Sequence, residues 1–245
     1  MSEFQYYRPN NFPPVVKNLV IINVLVYIAQ LTVHPFPLTE KLMLYPALPA
    51  QLSDYLSQQG GLPGMGAFNP YQVFTYMFAH SPATFTHILF NMFALWMFGR
   101  ILENVWGPKR FLFFYIVCGV GAAAFHLAIQ YFRAEQLWHA IQLNDQAGIT
   151  KNLGALAPAL GASGAIMGLL AAFGYLFPNS EMFILFIPFP IKAKWAVLGM
   201  AAIDLFGGVT NISGDNVAHF AHIGGALVGL VIVLIWNKTN RRSLY

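Results

Sequence analysis

Apolar residues fall in long blocks along this chain rather than alternating with polar ones. Six runs stand out, at about residues 16–33, 85–102, 111–132, 156–177, 195–209 and 217–236. A helix needs roughly 17–25 mainly apolar residues to cross the hydrocarbon of a bilayer, and most of these runs have that length. Backbone groups in lipid must be satisfied within the chain, so such runs predict helices. Two connections are longer than turns. Residues 34–76 hold several prolines and the cluster Gly60-Gly61-Leu62-Pro63-Gly64-Met65-Gly66. This stretch is too interrupted to span and too apolar for a solvated loop, which predicts an interfacial, partly embedded connection. Residues 133–155 are the most polar, and predict a short surface helix followed by a turn. The expected fold is an all-α membrane protein, a six-helix bundle over residues 16–236. A short segment, 1–15, precedes it and a basic tail, 237–245, follows it. No internal repeat is evident.

Composition sharpens this picture. Of 245 residues, 57% are hydrophobic and 9% are charged, against about 25% charged in a typical soluble domain. The mean hydropathy is +0.56. The formal charge of +4 is not a nucleic-acid signal, because the basic residues lie in the connections between apolar runs. Six crossings put both termini on one side. With the termini inside, Arg8, Lys17, Arg100, Lys109, Arg110, Lys192, Lys194, Lys238, Arg241 and Arg242 are inside. Lys41, Arg133 and Lys151 are then outside. This bias predicts cytoplasmic termini in the cell membrane. Residues 1–14 lack the build of a cleaved signal peptide and are not Arg/Ser-rich like a transit peptide. The lone Cys118 forms no intrachain disulfide and says nothing about redox compartment.

Polar groups inside spans are costly and point to function. His87 and Asn91, four residues apart, lie on one helical face of the second run. His219 and His222 open the sixth run, and Gly225 and Gly229 continue their face. In the fourth run, Gly161, Gly164 and Gly168 leave a face almost bare, beside Ser163. Glycine faces permit close helix approach. The fourth and sixth runs begin at the same outer depth, so packing glycine face on glycine face would bring Ser163 near His222 or His219. A serine hydroxyl needs such a base to act as a nucleophile. Asn91, His87 and the backbone N–H of Ser163 could donate to an oxyanion, with Gly161 a further candidate. Asp204 lies in the outer half of the fifth run and Asp215 in the turn after it. Neither has a spacing that ties it to a histidine, and a Ser-His dyad needs fewer assumptions than a triad. Each group also has a bland reading. His80, His126 and Asp204 could simply satisfy packing or face outer water, and His87 with Asn91 could bond helix to helix. A zinc site would want H-E-x-x-H, but Phe220 and Ala221 separate the two histidines. No metal and no cofactor are expected.

His87-Ile88-Leu89-Phe90-Asn91, Gly161-Ala162-Ser163-Gly164 and Ala221-His222-Ile223-Gly224-Gly225-Ala226-Leu227-Val228-Gly229 stand in chain order on runs two, four and six. In this set the chain resembles the rhomboid family of intramembrane serine proteases. The resemblance implies a six-span rhomboid-like bundle with Ser163 as nucleophile and His222 as general base. It implies Asn91 and His87 as oxyanion donors, and a dyad that leaves Asp204 outside the chemistry. It leaves His219 as a supporting or solvent-side group. It also implies substrates that are transmembrane helices, cut near their outer ends by a site opening on the non-cytoplasmic side. Two positions depart from the family pattern. Tyr71-Gln72 stands where members often carry Trp-Arg, and Met167 where some carry an aromatic against the base histidine. Two other function classes fit the composition: a non-catalytic binder of client helices, and a small channel or transporter. Nothing resembles the paired broken helices of repeated transporter halves.

Overall fold

The computed structural model describes residues 10–33, 35–61, 66–183, 189–210 and 218–239. Arg8, most of the 60–66 glycine cluster, Asp215, Asn216, Arg241 and Arg242 lie outside the described residues. Ten helices follow in chain order: α1 Pro14–Thr32, α2 Leu38–Leu42, α3 Ala50–Gln58, α4 Gln72–Thr75, α5 Phe85–Trp106, α6 Pro108–Gln142, α7 Gln146–Asn152, α8 Ser163–Leu176, α9 Ala193–Thr210 and α10 His219–Thr239. Short 3₁₀ turns follow α4 and α7. A two-residue hairpin, β1 Glu181–Met182 with β2 Ile191–Lys192, joins α8 to α9. Helices α1, α5, α6, α9 and α10 are long and apolar enough to cross a membrane, and the chain is an integral membrane protein.

The sixth apolar helix, α8, is different. It has 14 residues, about 21 Å at 1.5 Å per residue, against about 30 Å of hydrocarbon. The apolar run predicts a start near residue 156, but Pro158 and the backbone of Gly161, at φ +124°, keep the chain irregular until Ser163. The missing turns recess Ser163 below the end of the bundle at which α8 begins. Every residue from Gly164 to Gly174 is buried, because α5, α6, α9 and α10 surround the helix. Its closest neighbour is α10. A Cβ on Gly225 would collide with the carbonyl of Gly164, and one on Gly229 would sit 2.7 Å from the Gly168 backbone. Glycine face on glycine face is therefore the observed seam.

Two other expectations are corrected. The polar stretch Glu103–Arg110 is not a long turn: α5 runs to Trp106, Gly107 alone breaks the helix at φ +78°, and Pro108 starts α6. Proline suits a first helical position because it lacks an N–H that would be unsatisfied there. Nor does the helix of the third run, α6, end near residue 132. It continues to Gln142, 35 residues in all, about 52 Å long. Its outer third stays helical because Ala134 and Leu137 bury a small second core against Leu52 of α3 and Ala155.

Two polar contacts brace the frame. Residues 35–61 and 66–76 form an ordered scaffold, not a span. The buried Gln72 accepts the N–H groups of Asn69 (3.0 Å) and Tyr45 (3.4 Å), and Leu44 pairs both ways with Ala159 (2.8 and 2.9 Å). Gln72 thus pins Tyr45 and Asn69 of this segment to α4. The buried carboxylate of Glu103 on α5 accepts the N–H groups of Val15 (3.0 Å) and Val16 (2.8 Å), capping α1 from a neighbouring helix. Hydrogen bonds to charged groups contribute about 1.5–3 kcal/mol each. Glu103→Ala is therefore expected to destabilise the protein by about 2 kcal/mol or more, read as a lowered unfolding midpoint in detergent.

Candidate active site

The site lies at the N-terminal end of the α8–α10 seam. Because α10 begins at His219, its first turn stands level with the first turn of α8. The Oγ of Ser163 lies 2.8 Å from Nε2 of His222. His219 does not share that contact. Its Nδ1 lies 2.8 Å from Oδ1 of Asp204 on α9, and Nδ1 of His222 lies 2.9 Å from the same oxygen. The expectation that Asp204 stands apart from the histidines is thus corrected. A polar residue inside an otherwise apolar span was the available signal. Its 15- and 18-residue separations from the histidines cross a turn between helices, where helical periodicity carries no information.

Opposite His222 stands His87 of α5. Its Nδ1 accepts the N–H of Ser81 at 3.3 Å, so a neutral ring carries its proton on Nε2. That Nε2 faces Gly161. A Cβ there would lie 2.9 Å from His87 Nε2 and 3.8 Å from Ser163 Oγ. The missing side chain therefore lets the His87 ring approach the backbone beside Ser163, and His87 and Ser163 both line one cavity. Glycine is required twice at 161, for this close approach and for its positive φ. Gly161 is not itself an oxyanion donor, because its N–H is bonded to the carbonyl of Tyr76 at 2.9 Å. The N–H of Ser163 opens α8, where first-turn donors have no partner within the helix.

Asn91 is placed less directly. It is buried, its Nδ2 donates to the carbonyl of His87 at 2.8 Å, and only its second amide hydrogen is left for another acceptor. Asn91 does not line the cavity beside Ser163, whereas His87, His126, Arg133, His219 and His222 do. That cavity holds about 630 Å³. Met167 is buried in the core and is not part of its wall. His80 is a packing residue. It is fully buried, and its ring meets that of His87 edge-on with centroids 5.2 Å apart. Burial first, and His87 second, push its pKa down to about 4. His87 therefore stacks on a neutral ring at pH 7. Among the described residues no group of three or more His, Cys, Asp or Glu has the arrangement of a metal site.

A hydroxyl held to an imidazole, with a donor in the same cavity, is the constellation of nucleophilic acyl transfer. Here it sits within a helical membrane bundle. The family model described as the Rhomboid domain matches residues 67–238, and the chain belongs to the Rhomboid family. The mitochondrial Rhomboid protein 1 of Saccharomyces cerevisiae is 30% identical over 153 residues, which is 62% of this chain and 38% of that protein. The Rhomboid protease AarA of Providencia stuartii is 29% identical over 174 residues, 65% of this chain and 53% of that protein. The mitochondrial Presenilin-associated rhomboid-like protein of Homo sapiens is 32% identical over 165 residues, 64% of this chain and 37% of that protein. The chain spans about half or less of the length of these relatives.

Proposed function

We propose that this chain is an intramembrane serine endopeptidase whose substrates are transmembrane helices cut near their outer ends. The observation that carries this reading is the 2.8 Å approach of His222 Nε2 to Ser163 Oγ, in a cavity that His87 also lines. A relative named a rhomboid protease supports it. In the reaction, Ser163 Oγ attacks the scissile carbonyl carbon and its proton passes to His222 Nε2. The carbonyl oxygen becomes an oxyanion beside Nε2–H of His87 and the N–H of Ser163. His222 then gives the proton to the leaving amine as the C–N bond breaks, which leaves an ester on Ser163. Water, deprotonated by His222, hydrolyses that ester and restores the hydroxyl.

Ten of the 13 lysines and arginines fall on the side assigned to the termini. The proposed site therefore opens on the opposite, non-cytoplasmic face of the membrane. Its partners are lipid and a helical segment delivered through it. The direct test is a serine-directed fluorophosphonate applied to the purified chain in detergent. One adduct is expected, and peptide mass spectrometry should place it on Ser163. An adduct elsewhere, or none in a folded sample, rejects the reading.

The donor geometry grades two further residues. Loss of one oxyanion donor costs on the order of 10²–10³ in kcat in a soluble serine protease. His87→Ala is expected to lose that much, with KM nearly unchanged, because the donor acts on charge that develops only in the transition state. Asn91→Ala should lose less, since one of its amide hydrogens already serves its own helix. Kinetics on a generic transmembrane substrate check the order. A larger loss for Asn91→Ala would place the oxyanion nearer Asn91 than His87.

A further inference from the structure

Asp204 is a buried acid in a membrane helix, and its burial has a cost that only good hydrogen bonding offsets. Its Oδ1 meets two imidazoles, those of His219 and His222. An ionised carboxylate is acceptor-only. Each histidine therefore donates from Nδ1, and a neutral ring protonated there has a bare Nε2. The bare Nε2 of His222 is the atom that faces Ser163. Two glycines make this approach possible. A Cβ at Gly207 would strike the His219 ring, and one at Gly208 would press on the ring of Phe220. These glycines bring α9 close to α10 about one turn beyond Asp204, toward the C-terminal end of α9.

We propose that Asp204 is a positioning residue for the proposed reaction. It holds His222 in the tautomer and orientation that accept the Ser163 proton, while His219 holds Asp204 by a second hydrogen bond to the same oxygen. The inference rests on the reading of Ser163 as nucleophile and His222 as base. Without the carboxylate, the ring is free to carry its proton on Nε2, and that form cannot take a proton from serine. The other ionisable groups around the pair are His87 on α5 and His126 and Arg133 on α6. Among the described residues of this cavity wall there is no carboxylate.

The experiment uses the full chain in detergent with a generic transmembrane substrate and Ser163→Ala as the blank. Asp204→Asn is expected to lower kcat on the order of 10²- to 10⁴-fold, as amide substitution does in soluble triads. KM should stay within about twofold, and fluorophosphonate labelling should slow in parallel. His219→Gln should lose about tenfold or less, because one hydrogen bond to Asp204 remains. ¹⁵N-histidine NMR supplies a readout that a purely structural tie between α9 and α10 would not move. In the native protein His222 should be protonated on Nδ1 and bare on Nε2, and in Asp204→Asn this preference should be lost. Native-like kcat in Asp204→Asn overturns the proposal. So does a loss of kcat with the His222 tautomer unchanged. Should Asp204→Asn fail to fold, the native spectrum decides alone, and an Nε2-protonated His222 overturns the assignment. If the native chain shows no Ser163-dependent cleavage, the proposed function fails, while the tautomer measurement still tests the Asp204–His222 pairing.

Discussion

Ser163→Ala should reduce cleavage of a transmembrane substrate to background and abolish fluorophosphonate labelling, with the unfolding midpoint close to native. The hydroxyl is the only group removed, and Ser163 is partly exposed to the cavity, so the loss leaves no buried orphan. The histidine it touches should behave as its equal. In a soluble serine protease, removal of the serine or its histidine alone costs about as much as removal of the whole set, roughly 2 × 10⁶ in kcat. His222→Ala should therefore match Ser163→Ala, and the double variant should be no worse than either. His219→Ala should keep a measurable fraction, because its contact is to Asp204 and not to Ser163. All four variants need assay at matched expression and thermal stability. Residual cleavage by Ser163→Ala above the enzyme-free background would falsify the proposed chemistry. A dead His219→Ala beside a working His222→Ala would mean that the wrong imidazole faces the serine.

Gly225→Ala should damage both stability and activity, although it adds one methyl group. The new Cβ would meet the backbone carbonyl of Gly164 on α8. A backbone atom in a helix cannot rotate away, so the two helices must separate. Overpacking of this kind costs about 1–3 kcal/mol, occasionally more. Gly164 follows Ser163 directly in the chain, and Gly225 lies one turn below His222. Separation at this point therefore lengthens the Ser163–His222 contact as well. Activity in the surviving folded fraction should fall at least tenfold, since proton transfer needs a heavy-atom distance of about 2.6–3.2 Å. Gly199→Ala is the matched control. It lies within α9 with nothing within 4 Å of the added carbon. There alanine should be neutral, or stabilise by up to about 1 kcal/mol through helix propensity. Denaturant melts in detergent and single-turnover labelling would separate the two effects. Equal behaviour of the two variants would refute the glycine seam as the element that sets the site's geometry.

Much of this arrangement was legible in the chain because the responsible forces act locally. Lipid selects apolar runs of spanning length, so the runs mark the helices of a membrane bundle. Glycines at 161, 164, 168, 225 and 229 recur at helical spacing, so two bare faces could be matched before any coordinates were considered. A serine beside one face and a histidine at the head of the other then had to meet if the faces packed. The three motifs that carry the family resemblance sit on those same elements, in α5, at the start of α8 and in α10.

The rest depended on contacts between segments distant in the chain. Hydrophobicity alone cannot mark where α8 begins, because residues 156–162 are apolar whether helical or not. The start is set by the left-handed backbone of Gly161 and by the bond from its N–H to Tyr76. That same bond removes Gly161 from the oxyanion donors. Helix α6 outruns its apolar run because α3 covers one side of its polar extension. Composition by itself therefore determined the membrane class, the helical segments and the nucleophile–base candidates, since each follows from short-range periodicity and transfer into lipid. Helical periodicity left His219 and His222 both open, and the family motif pointed to His222. The tertiary structure set the Nε2 of His222 against Ser163 and alone revealed that Asp204 joins both histidines. Those relations are distances of about 3 Å between side chains on three different helices, set by packing and by hydrogen bonds that close only once the bundle has assembled.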